Sequence, residues 1–530
     1  MKQMLSTFGT GTFLSLLSFL LLAILAFQSV RQVAPPATVA AGAPGTEFSG
    51  ERAMRHLELI ARRPHPAGSP ELVEVRGRIL GALAQLGVGA ELQSTKVVNN
   101  ILVRLRGTGE GKAVLLVSHY DSVPVSPGAG DDGSAVAAML ETLRALRAGP
   151  PLRNDVIFLF SDGEEVGLEG AKAFVYAHPW AKDARVVLNF DARGNGGPVV
   201  MFETIGKNGW LIRQLSEAAP RPVATSLGDE IYKLLPHDTD LSIFREAGFA
   251  GLNFAFMKGA SYYHSPRDTI ENLDRRSLQH QGTYALSLAR RFGEAELGEV
   301  GGEDAVYFNV AGRGLVHYPE RWAARLGAAA TLLLVGVLAL GWRNKHLTPS
   351  GVWKGCAAVA LNLAGALAAA GLFWWTLNAW RGRTPSEGGE FDGILLVVIT
   401  CLLSGAIYVW ASRKVGALSL LAGTLILWAV LAICTSLFLP GGSYLFTWPL
   451  VSGLIAAACV FAVERRETFL GPAALSVGAV PAVLLFAPVV HLSLQAFTLR
   501  SAASVIVVAL PAVLALGLLT PHLSLLNSRR

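Results

Sequence analysis

Hydrophobic and polar residues divide the chain into three regions of different character. Residues 13–30 form one apolar run, residues 45–320 mix apolar and polar positions, and residues 323–523 are again mostly apolar. The apolar run at 13–30 is long enough to cross a bilayer. The pattern therefore predicts a globular domain that lies between two membrane-embedded regions.

Within the globular region, short apolar runs alternate with segments in which Leu, Ile and Val recur at helical spacing. The runs predict strands at 100–106, 113–118, 155–161, 185–190, 198–203 and 251–256. The spaced segments predict helices at 51–62, 71–86, 133–147, 169–178, 207–218, 240–247 and 274–293. This alternation indicates an α/β fold with a mostly parallel sheet sandwiched by helices. Residues 304–318 add a short predicted β pair.

Seven further apolar spans follow the globular region, at 323–342, 352–377, 392–411, 416–438, 445–463, 469–493 and 501–520. One set of connecting loops carries most of the positive charge, at Arg343, Lys345, Arg413, Lys414, Arg465, Arg466, Arg529 and Arg530. The opposite loops carry only Arg381, Arg383 and Arg500. Because positively charged loops stay in the cytoplasm, both termini are predicted inside and the globular domain outside the cytoplasm.

The predicted organisation begins with a transmembrane anchor at 1–30 and a Pro/Ala/Gly-rich linker at 31–47. An extracytoplasmic domain at 48–300 and a short β connector at 301–322 then lead to a membrane domain at 323–530 with about seven helices. The first span also fits a cleaved signal peptide, because the small residues AAGA follow it.

Composition restricts which binding partners and which cellular compartment are expected for the chain. The net charge of +6 comes without a Lys/Arg run interleaved with aromatic residues, so no nucleic-acid partner is expected, whereas a lipid bilayer is. All four cysteines lie in apolar spans, which excludes a disulfide framework and cysteine catalysis in the globular domain. That domain also lacks an Asn-x-Ser/Thr sequon, which favours a bacterial inner membrane facing the periplasm over an endoplasmic-reticulum or vacuole membrane facing the lumen.

Acidic residues and histidines cluster where the predicted strands end. In chain order these candidates are His119, Asp121, Asp131, Asp132, Glu164, Glu165, Asp191 and, after Tyr262 and Tyr263, His264. Such positions share one rim of a parallel sheet, where ligands and catalytic groups gather. Two histidines and three carboxylates suit a pair of zinc ions with one bridging carboxylate, and a further carboxylate is left as general base. Taken singly, each residue also fits an ordinary turn or helix cap.

The stretches HYDS, GAGDDGS, DGEEVG, NFDARG and YYHSPRDT together resemble the zinc-dependent aminopeptidase family. That family includes leucyl-type aminopeptidases, glutamate carboxypeptidases and glutaminyl cyclase. An anchor, a globular domain and a multi-span tail resemble its membrane branch, which contains the endoplasmic-reticulum metallopeptidase and the vacuolar membrane protease. The DAVYFNVAGRGLVHY segment is similar to that branch as well.

The resemblance implies a role for each candidate residue. His119 and Asp191 would bind one zinc ion, Glu165 and His264 the other, and Asp131 would bridge the two. It further implies that Asp121 holds His119 from the second shell, that Glu164 is the general base, and that Tyr263 helps to bind the oxyanion. The sequence leaves Tyr262 as an alternative to Tyr263, and Asp132 as an alternative to Asp131. The loop from His237 to Asp240 either lines the substrate pocket or is structural.

The chain is thus expected to be a membrane-anchored exopeptidase with two Zn²⁺ per chain, an aminopeptidase that acts on peptide substrates outside the cytoplasm. A glutaminyl-cyclase-like enzyme and a non-catalytic, metal-retaining receptor or scaffold remain as alternatives. Transport is disfavoured because the spans have almost no ionisable residue at mid-depth.

Overall fold

Two compact units make up the structure, which is a computed structural model. It describes residues 10–109, 111–235, 237–298, 300–310, 314–381, 389–462, 470–496, 508–510, 513–514 and 517. The globular unit comprises Val33–Pro319, and the helical unit comprises the chain up to Gln32 together with the chain from Glu320 onward. Each unit is described by itself.

A mixed sheet of seven strands forms the centre of the globular unit. Its strands are β1 (Glu91–Ser94), β2 (Asn99–Leu105), β3 (Ala113–His119), β4 (Asp155–Ser161), β5 (Ala184–Ala192), β6 (Gly196–Ile205) and β7 (Ala250–Lys258). Their order in the sheet is β1-β2-β4-β3-β5-β7-β6. The central strands β4, β3, β5 and β7 are parallel, while β1, β2 and β6 pair antiparallel at the two edges. The predicted α/β fold is confirmed, with the parallel arrangement confined to the centre.

Helices cover both faces of this sheet. After α1 (Thr10–Gln32) of the helical unit come α2 (Gly50–Ile60), α3 (Pro70–Gln85), α4 (Ser134–Arg147), α5 (Glu169–Ala177), α6 (Gly209–Ala218), α7 (Ser226–Tyr232), α8 (Asp240–Glu246) and α9 (Arg275–Glu294). Val114 and Leu116 of β3 pack in the core that α2, α3, α4 and α9 share, and Leu115 and Val117 pack in the core of α5 and α8. Burial on both faces explains why the central strands are continuously apolar in sequence.

Residues 33–49, for most of which the sequence predicts a linker, belong to the globular unit. The guanidinium of Arg52 on α2 donates hydrogen bonds to the main-chain carbonyl groups of Ala41 at 2.6 Å and Glu47 at 2.7 Å. The same side chain pairs with the fully buried carboxylate of Glu141 at 2.8 Å. The segment is therefore fastened to the helical layer rather than free of it.

The predicted β pair is present as β8 (Ala305–Asn309) and β9 (Leu315–Pro319), and it too lies in the globular unit. The backbone N–H of Ala305 donates to Asn208 Oδ1 at 2.8 Å, beside the start of α6. The backbone N–H of Tyr307 donates to Ser226 Oγ at 3.0 Å, on α7. These contacts dock the hairpin on the helices that follow β6.

Six helices of the helical unit are long and apolar enough to cross a membrane, as judged by length and composition: α10 (Trp322–Arg343), α11 (Pro349–Arg381), α12 (Gly389–Val415), α13 (Ala417–Phe438), α14 (Tyr444–Ala462) and α15 (Leu470–Ala496). They correspond to the first six predicted C-terminal spans. The seventh, 501–520, lies almost wholly outside the described residues, as do several of the loop charges, so the orientation stays a prediction. Helix α1 contains a shorter apolar segment, Leu16–Gln32, and bonds to α15 from Ser29 Oγ to the carbonyl of Leu484 at 3.1 Å.

Candidate metal centre

The predicted site residues lie at the carboxyl ends of the parallel strands. His119 is the last residue of β3 and pairs in register with Ser161, the last residue of β4. Asp191 is the second-last residue of β5. Because these strands are adjacent and parallel, their ends meet at one rim of the sheet, and the loops that follow β3, β4 and β7 bring the remaining residues to it.

Three overlapping groups of side chains form there. Ligand atoms of His119, Asp131 and Asp191 lie within 4.8 Å of one another, and so do those of Asp131, Glu165 and His264. These two groups have Asp131 in common, and the third joins His119 with Glu164 and Glu165. The structure thus brings together all five residues that the sequence puts forward as metal ligands.

Asp131 lies between the two histidines. Its Oδ1 is 3.1 Å from His119 Nε2, and its Oδ2 is 3.1 Å from His264 Nε2. Asp132 points elsewhere, because its Oδ2 accepts the backbone N–H of His119 at 3.3 Å. The geometry therefore separates the two aspartates: Asp131 and not Asp132 is the one shared by both groups.

The turn that carries Asp131 is held by a residue far along the chain. The carboxylate of Asp268 accepts the backbone N–H of Gly130 at 2.6 Å and that of Asp131 at 3.2 Å. A side chain at Gly130 would place its Cβ 2.3 Å from the carbonyl oxygen of Gly194, so only glycine fits that position. The peptide bond between Asp131 and Asp132 is cis.

Asp121 connects the end of β3 with the acidic pair after β4. Its main-chain carbonyl lies 3.0 Å from His119 Nδ1, and its carboxylate lies farther from that nitrogen, at 3.5 Å. The carboxylate instead accepts the backbone N–H groups of Glu164 at 3.1 Å and Glu165 at 3.3 Å. Asp121 thus contacts His119 as the sequence predicts, and in addition it positions the acidic pair.

The loop after β7 presents His264 and Tyr263 as a stacked pair. Their ring centroids are 3.8 Å apart with an interplanar angle of 19°. The backbone of His264 has a φ of 52°, a left-handed conformation that residues other than glycine rarely adopt. Such outliers concentrate at functional sites. Tyr262 turns away and packs beneath the guanidinium of Arg267, 4.7 Å from the ring centroid. Tyr263 is therefore the tyrosine that borders the cluster.

Sequence comparison agrees with this geometry. Residues 100–289 match the model of peptidase family M28. Residues 100–289, called the M28 domain after this match, lie within the globular unit. The resemblance to zinc-dependent aminopeptidases and to their membrane branch is thereby confirmed.

Curated relatives of the M28 domain include membrane proteins from animals and fungi. Endoplasmic reticulum metallopeptidase 1 of Rattus norvegicus is 33% identical over 262 residues, a match covering 48% of this chain and 29% of the rat protein. The Homo sapiens protein is 30% identical over 381 residues, covering 64% of this chain and 42% of the human one. Vacuolar membrane protease of Candida tropicalis is 34% identical, covering 48% and 30%. The chain thus spans less than half the length of these relatives.

Solved structures with similarity to the M28 domain include BSAP, a zinc aminopeptidase from Bacillus subtilis. That match has 16% identity and a TM-score of 0.40, and it covers 48% of this chain and 98% of the other. Another is a glutaminyl cyclase from an Acidobacteriales bacterium, with 20% identity, a TM-score of 0.38, and the same coverage of both chains.

Crowding of buried carboxyl groups dominates the electrostatics of the M28 site. Burial, reinforced by the charge of Asp131, raises the pKa of Asp191 to about 7. Burial also raises the pKa of Glu164 well above its ordinary value, and the charge of Asp191 adds to the effect. For Asp131 burial acts in the same direction, but hydrogen bonds from His119 and His264 outweigh it and lower the pKa to about 2. The protein part of the site therefore holds more acidic groups than it can ionise at neutral pH without a compensating cation.

The donor set fits zinc. Imidazole nitrogens and carboxylate oxygens are ordinary zinc ligands, and two groups sharing one carboxylate suit two neighbouring ions. Glu165 Oε1 is buried and lies 3.1 Å from His264 Nε2, yet it has no hydrogen-bond partner of acceptable geometry among the described residues. A cation between these two atoms would satisfy both. The M28 site thus has the composition and the unmet polar atoms that a metal centre requires.

Three residues of the M28 site were not assigned a role from sequence. Asp268 holds the turn of Asp131, as described above. Asp240 belongs to the loop whose role the sequence left open. It is buried and accepts a hydrogen bond from Ser161 Oγ. Burial raises the pKa of Asp240 to about 6. Arg193 lies two residues past Asp191, with its guanidinium 6.0 Å from the Tyr263 ring centroid. The contacts of Asp268 and Asp240 join positions far apart in sequence, so no local pattern announces them.

Proposed function

We propose that the protein is a membrane-anchored metallopeptidase with two zinc ions, an aminopeptidase that removes N-terminal residues from peptides. The observation that carries this proposal is the position of Asp131, shared by two ligand groups that each add one histidine. The printed names of the relatives, metallopeptidase and protease, support a peptidase.

In this proposal His119 and Asp191 hold one zinc ion, Glu165 and His264 hold the other, and Asp131 binds both. When bound, the two ions supply Lewis acidity toward the scissile carbonyl and lower the pKa of water at the site. His119 is kept in orientation by the carbonyl of Asp121, 3.0 Å from its Nδ1, which leaves Nε2 directed at the cluster.

Glu164 is the proposed general base. It accepts a proton from the attacking water and passes it to the amine that leaves. Burial raises the pKa of its carboxyl group, and a base with a raised pKa matches proton transfer near neutral pH better than an ordinary glutamate does. Its backbone N–H is fixed by Asp121, so the carboxylate is positioned from a rigid strand end.

Tyr263 is the proposed donor to the developing oxyanion. Burial and the neighbouring carboxylates Asp131 and Asp191 raise the pKa of its phenol, which therefore stays protonated and able to donate a hydrogen bond. A positioned donor of this kind stabilises charge that develops only in the transition state.

We also propose on which side of the membrane the M28 domain lies. Charge asymmetry between the loops supports a position of the M28 domain outside the cytoplasm, at a periplasmic or lumenal surface. Added protease should cleave the globular unit in bacterial spheroplasts that express the chain. Protection in intact spheroplasts, with cleavage only after detergent, would contradict this orientation.

The deciding experiment measures metal content and hydrolysis of a panel of aminoacyl reporter amides on the detergent-solubilised full chain. Wild type, Glu164→Gln and the matched control Glu169→Gln are compared; Glu169 is a partly exposed glutamate on α5 that pairs with Lys172. We expect about two zinc per chain in all three, and a loss of kcat of about 10²–10⁴-fold for Glu164→Gln alone.

Other results would assign the alternatives. Metal without hydrolysis, but with cyclisation of N-terminal glutamine, would assign a glutaminyl cyclase. Metal with neither activity would assign a receptor or scaffold. A chain that binds no metal would refute the proposal.

A further inference from the structure

Arg193 is placed by the strand that supplies a metal ligand. It follows Asp191 by two residues, and its backbone N–H donates to the carbonyl of Phe256 at 2.9 Å, which fixes the chain between β5 and β7. Its guanidinium lies 6.0 Å from the centroid of the Tyr263 ring, and that ring is stacked on His264. The Tyr263 ring thus lies near both the guanidinium and the proposed metal ligand His264.

The guanidinium has no carboxylate partner within the parts of the chain that the structure describes. Other arginines of the globular unit differ in this respect: Arg245 pairs with Glu203 at 2.5 Å, and Arg104 pairs with Asp155 at 2.6 Å. A half-buried guanidinium has lost part of its hydration, and its five N–H donors remain available to a ligand.

The charge of Arg193 also acts on His237. Burial lowers the pKa of His237, and the positive charge of Arg193 lowers it further, so this imidazole is mostly neutral near neutral pH. Arg193 itself therefore forms the positively charged border of the acidic cluster beside Tyr263. Such a border repels the ammonium group of a peptide N-terminus and attracts a carboxylate, so it belongs to the part of the substrate that leaves.

We propose that Arg193 binds a carboxylate of the substrate that lies one or two residues beyond the scissile bond. A peptide residue spans about 3.3–3.6 Å. One or two residues therefore cover a distance comparable with the 6.0 Å between the guanidinium and the Tyr263 ring. Two sources supply this chemistry, the C-terminus of a dipeptide or tripeptide and an acidic side chain. Planar bidentate pairing with guanidinium suits both. The inference rests on the proposed function, and it makes short or acidic peptides the preferred substrates.

The first test compares three substrates built on the aminoacyl residue X that the enzyme hydrolyses best: X-Gly, X-Gly-amide and X-Glu-amide. Arg193→Met, Arg193→Lys and the control Arg153→Met are assayed. Arg153 lies just before β4, is exposed, and pairs with Glu296. We expect Arg193→Met to raise KM about 10–100-fold for substrates with a carboxylate and to leave kcat and KM for X-Gly-amide unchanged. Partial recovery by Arg193→Lys is expected, because lysine keeps the charge without the planar fork.

The second test needs no turnover. Dissociation constants of the same three compounds are measured by calorimetry on zinc-loaded Glu164→Gln, with and without Arg193→Met. Tighter binding of X-Gly than of X-Gly-amide, lost with Arg193→Met, assigns a C-terminal carboxylate. The same pattern for X-Glu-amide assigns an acidic side chain.

Equal binding of all three compounds, or an equal loss for all three with Arg193→Met, would overturn the carboxylate subsite. Absence of hydrolysis by wild type would instead refute the proposed peptidase activity. The binding data would still decide the role of Arg193, so the two failures are distinguishable.

Discussion

The carboxylate of Asp121 accepts the backbone N–H of Glu164 at 3.1 Å. Asp121 comes from the end of β3 and Glu164 from the loop after β4, so this bond couples two neighbouring strand ends. The same residue holds His119 through its main-chain carbonyl. One fully buried aspartate therefore positions a proposed metal ligand and the proposed base together.

Asp121→Asn should disturb the acidic pair while the fold and the main-chain contact with His119 persist. An amide side chain has one acceptor oxygen, so it cannot replace both acceptors of the Glu164 and Glu165 N–H groups. We expect zinc affinity and kcat to fall by about 10–100-fold each, measured by competition with a chelator and by reporter hydrolysis. Asp183→Asn, at the amino end of β5, is the control and should change neither. Wild-type values in Asp121→Asn would contradict the positioning role.

Asp268→Asn should weaken metal binding without contact to the metal. Its carboxylate accepts two backbone N–H groups of the turn that presents Asp131, and a buried N–H left without an acceptor costs about 1–3 kcal/mol. The variant should bind zinc less tightly and melt at a lower temperature, measured by chelator competition and by thermal unfolding. A variant with a lower melting temperature and unchanged zinc affinity would show that the turn keeps its shape without this carboxylate.

The two adjacent tyrosines should behave differently. Tyr263→Phe removes the hydroxyl beside the acidic cluster, and loss of one oxyanion donor costs about 10²–10³ in kcat. Tyr262→Phe removes a hydroxyl on a ring that packs under Arg267, and kcat should stay at the wild-type value. Steady-state kinetics on one reporter amide decides the matter, and the reverse pattern would exchange the two assignments.

Removal of metal should destabilise the globular unit. Without cations, Asp191 and Glu164 lie buried among other acidic groups, and binding to the folded state alone stabilises it by mass action. Dialysis against a chelator should lower the melting temperature, and zinc should restore it in wild type and in Glu164→Gln alike. An unchanged melting temperature would argue against zinc ligation by these residues.

His280 should make the globular unit sensitive to mild acid. Burial lowers its pKa to about 3, and its Nδ1 accepts the backbone N–H of Val199 at 3.1 Å. The folded state therefore favours neutral His280, whereas the unfolded chain protonates it near pH 6.5. This contribution is fully present above pH 6.5 and is lost as the pH falls toward 3, amounting to about 4 kcal/mol at the low end. Since Gln keeps an acceptor, His280→Gln should flatten the fall in melting temperature between pH 6.5 and 4, measured with chelator present. A parallel curve would contradict this origin.

Much of the fold was predictable because the central strands are buried on both faces and therefore appear as continuous apolar runs. Strand β1 was not predicted, since ELQS lies at the sheet edge with mostly exposed side chains. Helix α7 was not predicted either, since its buried residues are the polar Ser226 and Asp229. Helix α8 has the same length but buries Leu241, Ile243 and Phe244, and it was predicted. Apolar burial, rather than length, decided which elements the sequence revealed.

The site was predictable as a set of residues and not as a geometry. Strand-end positions indicated the histidines and carboxylates, but the choice between Asp131 and Asp132 required the direction of each side chain. The bond from Gly130 to Asp268 spans 138 positions, and no pattern in one sequence encodes a pairing over that distance. Arg193 looks like an ordinary loop arginine until the Tyr263 ring is seen beside it.

Hydrogen bonds from Arg52 hold residues 33–49 on the globular unit, so they determine where this unit could be separated from the helical unit. A fragment that starts at residue 48 would lack the carbonyl groups of Ala41 and Glu47 that accept hydrogen bonds from the Arg52 guanidinium. The buried carboxylate of Glu141 would still pair with it. A fragment from Val33 to Pro319 keeps these contacts and the β8–β9 hairpin as well. The stretch that looks most dispensable in the sequence is thus one that a separately expressed globular unit should retain.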